Sequence, residues 1–153
     1  MEQIIFHKLD KPYGEFNNFY ECNMVVNNKL YVTVEHYYQS KKFEGTVYEE
    51  YIRYQSSPSK AKQIAYSEEA EKYFRTDWES VKLCIMATAL YHKFKKESFK
   101  NLLMSTENKE IIEYSAKDSF WGQKNGIGEN VLGKLLMELR ARLHNQKVGE
   151  FII

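Results

Sequence analysis

The run Val131, Leu132, Leu135, Leu139 and Leu143 sets the tightest limit on what this chain can become. Steps of three and four residues place these side chains on one face of a helix, and an apolar stripe of that length has to be covered by other parts of the chain. A helix is therefore expected over 130–144, with the stripe in the core. The segment leading into it, DSFWGQKNGIGENVLG over 118–133, carries an acid, a tryptophan and four of the seven glycines. Backbone N–H groups at a glycine-flanked helix N-terminus form a natural anion site, and Lys124 is close in sequence, so the segment has the look of a phosphate cradle. No βαβ context surrounds Gly126-Ile127-Gly128 and no GxxxxGK[ST] run is present, which excludes a dinucleotide fingerprint and a P-loop.

A chain of 153 residues fits one domain, 1–153, able to bury about 70% of its unfolded surface without metals or disulfides. Aromatic residues reach 15%, which has to line either a core or a ring-binding pocket. A net charge of +1 argues against a surface whose main task is covering nucleic-acid phosphates. Cys22 and Cys84 stand far apart and read as reduced thiols; His7, His36, His92 and His144 lack metal-ligand spacing, so neither metal nor cofactor is expected. The start MEQIIFHKLD is not a secretory signal and no run is long enough to span a bilayer, which points to a cytoplasmic protein without a membrane partner.

QIIFH reads as a short strand, and CNMVV and KLYVT as a hairpin joined at Asn27 and Asn28, a pair that tolerates positive φ. From Val34 onwards the pattern is helical, over 34–43, 48–54, 59–66, 78–93, 97–104 and 130–144, with EIIEY as one further short strand. The expectation is an α+β fold, predominantly α-helical, with a small antiparallel sheet near the N-terminus.

Two polar placements break the amphipathic rule. In DWESVKLCIMATALYHKF the apolar face runs through Trp78, Val81, Ile85, Met86 and Ala89, and Lys82 leaves from that same side. Either its stem runs past Trp78 to water, or its amine sits desolvated in a pocket, where it can attack a carbonyl or hold a phosphate. In VEHYYQSKKF, Glu35, Tyr38, Gln39 and Lys42 share one face, which is either solvated or a site; Glu35 in the first turn also suits the helix dipole.

In chain order, PYGEFNNFY, VEHYYQSKKF, RTDWESVKLCIM, KF, LLMSTENKEIIEYSAKDSFWG and GIGENVLGKLLMELR resemble the motif series of the NADAR family of YbiA-like N-glycosidases. The family has Ser-Asn where this chain has Asn17-Asn18, so Asn18 matches and Asn17 departs. Glu35, His36, Gln39 and Lys42 match the next block; Arg75, Asp77, Trp78, Lys82 and Met86 the one after; and Glu113, Asp118, Trp121, Gly122, Gly126, Gly128, Asn130, Gly133 and Arg140 the last.

The resemblance implies an enzyme that cleaves an N-glycosidic bond between a phosphorylated ribose, or ADP-ribose, and a nitrogenous ring. One form hydrolyses ribosylamino-pyrimidine phosphate intermediates of riboflavin synthesis to ribose 5-phosphate. The alternatives are removal of ADP-ribose from guanine bases of nucleic acid, and a non-catalytic module that binds ADP-ribose or a related nucleotide. Glu35, Lys82 and Asp118 are the catalytic candidates: two carboxylates to move protons and stabilise charge at the anomeric carbon, and an amine able to form a Schiff base with the opened sugar. Asn18, Gln39, Trp78 and Gly122 are carried over as substrate contacts, Trp78 with a core role as its alternative, and Trp121 is expected to stack on the ring. Lys42, Arg75 and the turn through Gly126, Gly128 and Asn130 are expected to grip phosphate.

Overall fold

The computed structural model describes residues 2–152, with side chains over 2–146. Its fold is α+β and mainly helical, as expected. The chain clusters into two compact units, Asn18–Lys93 and Met1–Asn17 with Phe94–Ile153.

In the first unit, β2 (Met24–Val26) and β3 (Lys29–Tyr31) form the anticipated antiparallel hairpin, with Met24 opposite Tyr31. Asn27 and Asn28 have φ of 51° and 64°, the two positive values that a tight two-residue turn between twisted strands requires. Met24, Val26 and Tyr31 point inward while Val25 and Leu30 face out, the alternation of a half-buried sheet. Four helices follow: α1 (Val34–Lys41), α2 (Val47–Arg53), α3 (Pro58–Ala65) and α4 (Trp78–Lys93). The first three begin on hydroxyl caps, Thr33, Thr46 and Ser57, and α3 adds Pro58 at its first turn, where the missing N–H costs nothing. Helix α1 packs against α2, α3 and α4, and every residue from Val34 to Ser40 is buried. A helix enclosed on all sides has no solvent face.

In the second unit, β1 (Gln3–Phe6) pairs in parallel with β4 (Glu110–Glu113), so QIIFH and EIIEY form their own two-stranded sheet. Helix α5 (Glu97–Ser105) precedes β4, and α6 (Val131–Ile152) packs on both. The last helix therefore runs beyond the expected 144. Its buried line also differs from the expected stripe: Leu132 and Leu136 are fully enclosed, whereas Val131, Leu135, Leu139 and Leu143 are half-buried. Gly133 explains the rotation, because a Cβ there would stand 2.1 Å from the Ile111 carbonyl oxygen. The face centred on that glycine is the one that meets β4.

Candidate active site

Helix α1 carries the candidates Glu35 and Gln39, with Lys42 at its C-cap. The Thr33 hydroxyl accepts from the His36 backbone N–H and contacts His36 Nδ1 at 2.8 Å, while His36 Nε2 lies 2.9 Å from the Gln55 carbonyl. A carbonyl can only accept, so Nε2 carries the proton and Nδ1 accepts from the threonine. Burial lowers the pKa of this ring despite the raising effect of the Gln55 carbonyl. His36 is a neutral core histidine that anchors α1.

The stripe Glu35, Tyr38, Gln39 and Lys42 is buried, which removes the solvated-face alternative. Gln39 Nε2 donates to Glu35 Oε1 at 2.7 Å, and the Glu35 backbone N–H donates to the Asn18 carbonyl at 3.1 Å. One turn on, Lys42 is only 5% exposed, with Nζ at 5.4, 4.4 and 5.6 Å from the ring centroids of Tyr38, Tyr66 and Trp78. Burial holds its pKa down to about 8; Glu35 pulls it up, and the positive charges of Lys62 and Lys82 push it down further. Three ring faces attract the cation but do not replace its hydration, so an appreciable fraction of this amine is neutral near physiological pH.

Trp78 is itself buried, edge-on to Tyr38 at 5.0 Å and against Phe74 at 6.2 Å, so it fills the core and walls the Lys42 amine at once. Lys82 takes neither extreme anticipated for it: its side chain is 17% exposed, and Nζ pairs with Glu79 at 2.7 Å. Arg75 is committed to protein groups. Its Nε and Nη2 form a fork on Asp77 at 2.6 and 3.0 Å, and Nη1 donates to Glu44 and to the Lys41 carbonyl. Its backbone N–H donates to the Lys42 carbonyl, so Arg75 fastens the chain before α4 to the end of α1.

In the second unit, Asp118 Oδ1 accepts from the N–H groups of Phe120 and Trp121 at 3.0 and 2.9 Å, a side-chain cap on the turn. Trp121 packs edge-on to Phe120 at 4.9 Å. At the N-terminus of α6, where a phosphate cradle was expected, the N–H groups of residues 129–132 are already taken. Glu129, Asn130, Val131 and Leu132 donate to the carbonyls of Ser119, Gly122, Phe120 and Trp121. Asn130 uses both ends of its amide on β4, accepting from Glu113 N–H and donating to the Ile111 carbonyl. Gly122 and Gly128 serve close packing, since a Cβ on Gly128 would stand 2.5 Å from the Gly122 carbonyl oxygen. Gly126 has φ of 78° and open space around it, so the turn requires its backbone freedom. The acceptor role of this loop's own carbonyls is what glycine spacing alone could not disclose.

The NADAR domain profile matches residues 5–144. The chain belongs to the NADAR family. Its relatives include the N-glycosidase YbiA of Shigella boydii, 39% identical over 94% of this chain and 90% of that protein. A riboflavin biosynthesis protein of Vibrio vulnificus is 33% identical over 94% of this chain but 39% of its own length, so there a similar region is part of a longer protein. The NMR structure of the E. coli protein YbiA superposes with a TM-score of 0.85 at 36% identity, covering 97% of this chain and 89% of that one. Within this NADAR fold, Tyr66 is a neighbour of the Lys42 amine that sequence reasoning missed. It caps α3, is 69% exposed and lies on no apolar face, so no periodicity marks it.

Proposed function

We propose that this NADAR protein is an N-glycosidase that hydrolyses ribosylamino-pyrimidine phosphates, intermediates of riboflavin biosynthesis, and releases ribose 5-phosphate. The observation that carries the reading is the buried Glu35–Gln39 pair beside the Lys42 amine under three rings. The names of the Shigella and Vibrio relatives support the reaction class and the pathway.

The chemistry is written on residues of the first unit alone. The glycosidic nitrogen pushes its lone pair onto C1, the C1–O4 bond breaks, and O4 takes a proton delivered through Glu35. The neutral amine of Lys42 adds to the iminium carbon, and the pyrimidine amine leaves with a proton. Water then hydrolyses the lysine imine, which returns the amine and releases the sugar aldehyde. Lys42 suits the covalent role better than Lys82, because its ammonium is the one destabilised by burial, while Lys82 keeps an ion-pair partner. Lys82 is then the cation for phosphate, and exposed Tyr66 offers a ring face to the pyrimidine.

Incubation with the ribosylamino-pyrimidine phosphate should release ribose 5-phosphate, and borohydride added during turnover should trap a sugar adduct on the protein. The adduct is expected to survive in Lys82→Met and to vanish in Lys42→Met. The opposite pattern would return the covalent role to Lys82, and cleavage with no adduct in any form would mean direct attack by water.

A further inference from the structure

Two side-chain amides that hydrogen-bond to the Glu35 segment or sit on residues that do, Asn18 and Gln39, each leave a buried oxygen without a partner among the described residues. A carboxylate oxygen accepts, so the Gln39 amide turns its NH₂ towards Glu35, and this aims Oε1 away from the carboxylate. Gln39 is 2% exposed, and its Oε1 has no hydrogen-bond partner among the described residues. Asn18, whose backbone carbonyl receives the Glu35 N–H, repeats the pattern. Its Nδ2 is directed at Met86 Sδ at 3.7 Å, and its buried Oδ1 is likewise without a partner. Two buried amide oxygens without partners, on residues that both hydrogen-bond to Glu35, are costly to fold unless something brings hydrogens to them.

We infer that Asn18 Oδ1 and Gln39 Oε1 form a hydroxyl-reading shelf that accepts hydrogen bonds from the vicinal hydroxyls of a ribosyl substrate. This deepens the N-glycosidase reading and rests on it. The donors have to be neutral, because Glu35 already has the Lys42 amine beside it and Lys82 adds positive charge near Lys42. Hydroxyls on the carbons next to the anomeric centre meet that condition once Glu35 is at that centre. They also give the enzyme a contact that strengthens as positive charge grows on C1. Asn18 and Gln39 are thus specificity-determining residues for ribo over deoxyribo sugars.

The test is binding of ribose 5-phosphate, 2-deoxyribose 5-phosphate and inorganic phosphate to the intact protein by calorimetry. Ribose 5-phosphate should bind about 10- to 100-fold more tightly than its deoxy counterpart, the range expected when a buried acceptor loses its donor. That preference should shrink to a few-fold in Asn18→Leu and Gln39→Met and persist in Asn18→Asp, which keeps the acceptor. Thermal melts of each variant identify any that fail to fold, and the wild-type comparison needs no variant. Equal binding of the two sugars to the wild type, no binding of either beyond that of phosphate, or a preference that survives in both apolar variants overturns the shelf. Failure to release ribose 5-phosphate from the pyrimidine substrate, with the sugar preference intact, overturns instead the glycosidase reading on which it rests.

Discussion

At the residue scale, Lys42 and Lys82 show how surroundings, not residue type, assign a role. Both leave their helices on the side where Trp78 lies, but Lys42 meets three rings and Lys82 meets Glu79. The consequence is a pH dependence. With its folded pKa lowered to about 8, mainly by burial, the Lys42 amine is protonated below that value and neutral above it. Turnover limited by its attack should therefore rise as pH increases through about 8. In Lys42→Arg this limb should disappear, together with roughly a hundredfold or more of kcat. Stability has a matching sign. The unfolded chain holds this proton up to the ordinary lysine value of 10.5, so between about 8 and 10.5 it binds more protons than the folded state. Lys42 therefore contributes a gain in stability as pH rises across that window, and a cost below it. Rate profiles of wild type and Lys42→Arg, read beside their urea midpoints, test both signs. A flat profile in the wild type would remove Lys42 from the covalent step.

At the scale of elements, the segment 118–133 is a joint between a strand and a helix. Asn130 is buried with φ of 51°, and its amide satisfies one N–H and one carbonyl of β4. Asn130→Ala leaves two enclosed backbone groups unpaired and should lower unfolding stability by about 3 kcal/mol, measured by urea titration. A loss below about 0.5 kcal/mol would mean that the joint relaxes freely and that Asn130 is not its fastener. The helices and the hairpin were legible in the sequence because apolar period and turn chemistry are local; α4 was expected over 78–93 and spans Trp78–Lys93. The pairing of β1 with β4 was not legible, since nothing near Gln3 announces a partner at Glu110. The glycines were legible as special but not in purpose. Sequence marks where backbone freedom is needed, whereas the carbonyls that occupy the N–H groups of α6 come from tertiary placement. The same limit applies to the candidate site. Glu35, Gln39 and Lys42 stood out by helical spacing, while Tyr66, 24 positions after Lys42, entered only through the fold.

At the scale of the whole molecule, charge separates a small phosphorylated substrate from a nucleic-acid strand. The chain carries 22 Lys and Arg against 21 Asp and Glu. Several of its cations are already paired: Lys29 and Arg53 with Glu50, Arg75 with Asp77, and Lys109 with Glu2. Binding a strand through many phosphates would release a counterion at each, and affinity would fall roughly a thousandfold or more between about 50 and about 200 mM salt. A ribosyl phosphate held by one or two cations has no such steep dependence. The expectation is that kcat/KM for the ribosylamino-pyrimidine phosphate changes by less than about tenfold over that range. Retention of mixed-sequence DNA should be negligible even at the low-salt end. The decisive measurement runs both substrates side by side, following ribose 5-phosphate from the pyrimidine and ADP-ribose from a guanine-modified strand at each salt concentration. A strand processed with higher kcat/KM and a steep salt slope would show that the folded surface gathers a basic track out of a nearly neutral composition. The small-molecule assignment would then give way to the nucleic-acid one. A shallow slope with release only from the pyrimidine keeps the chemistry with the Lys42 amine and its aromatic walls.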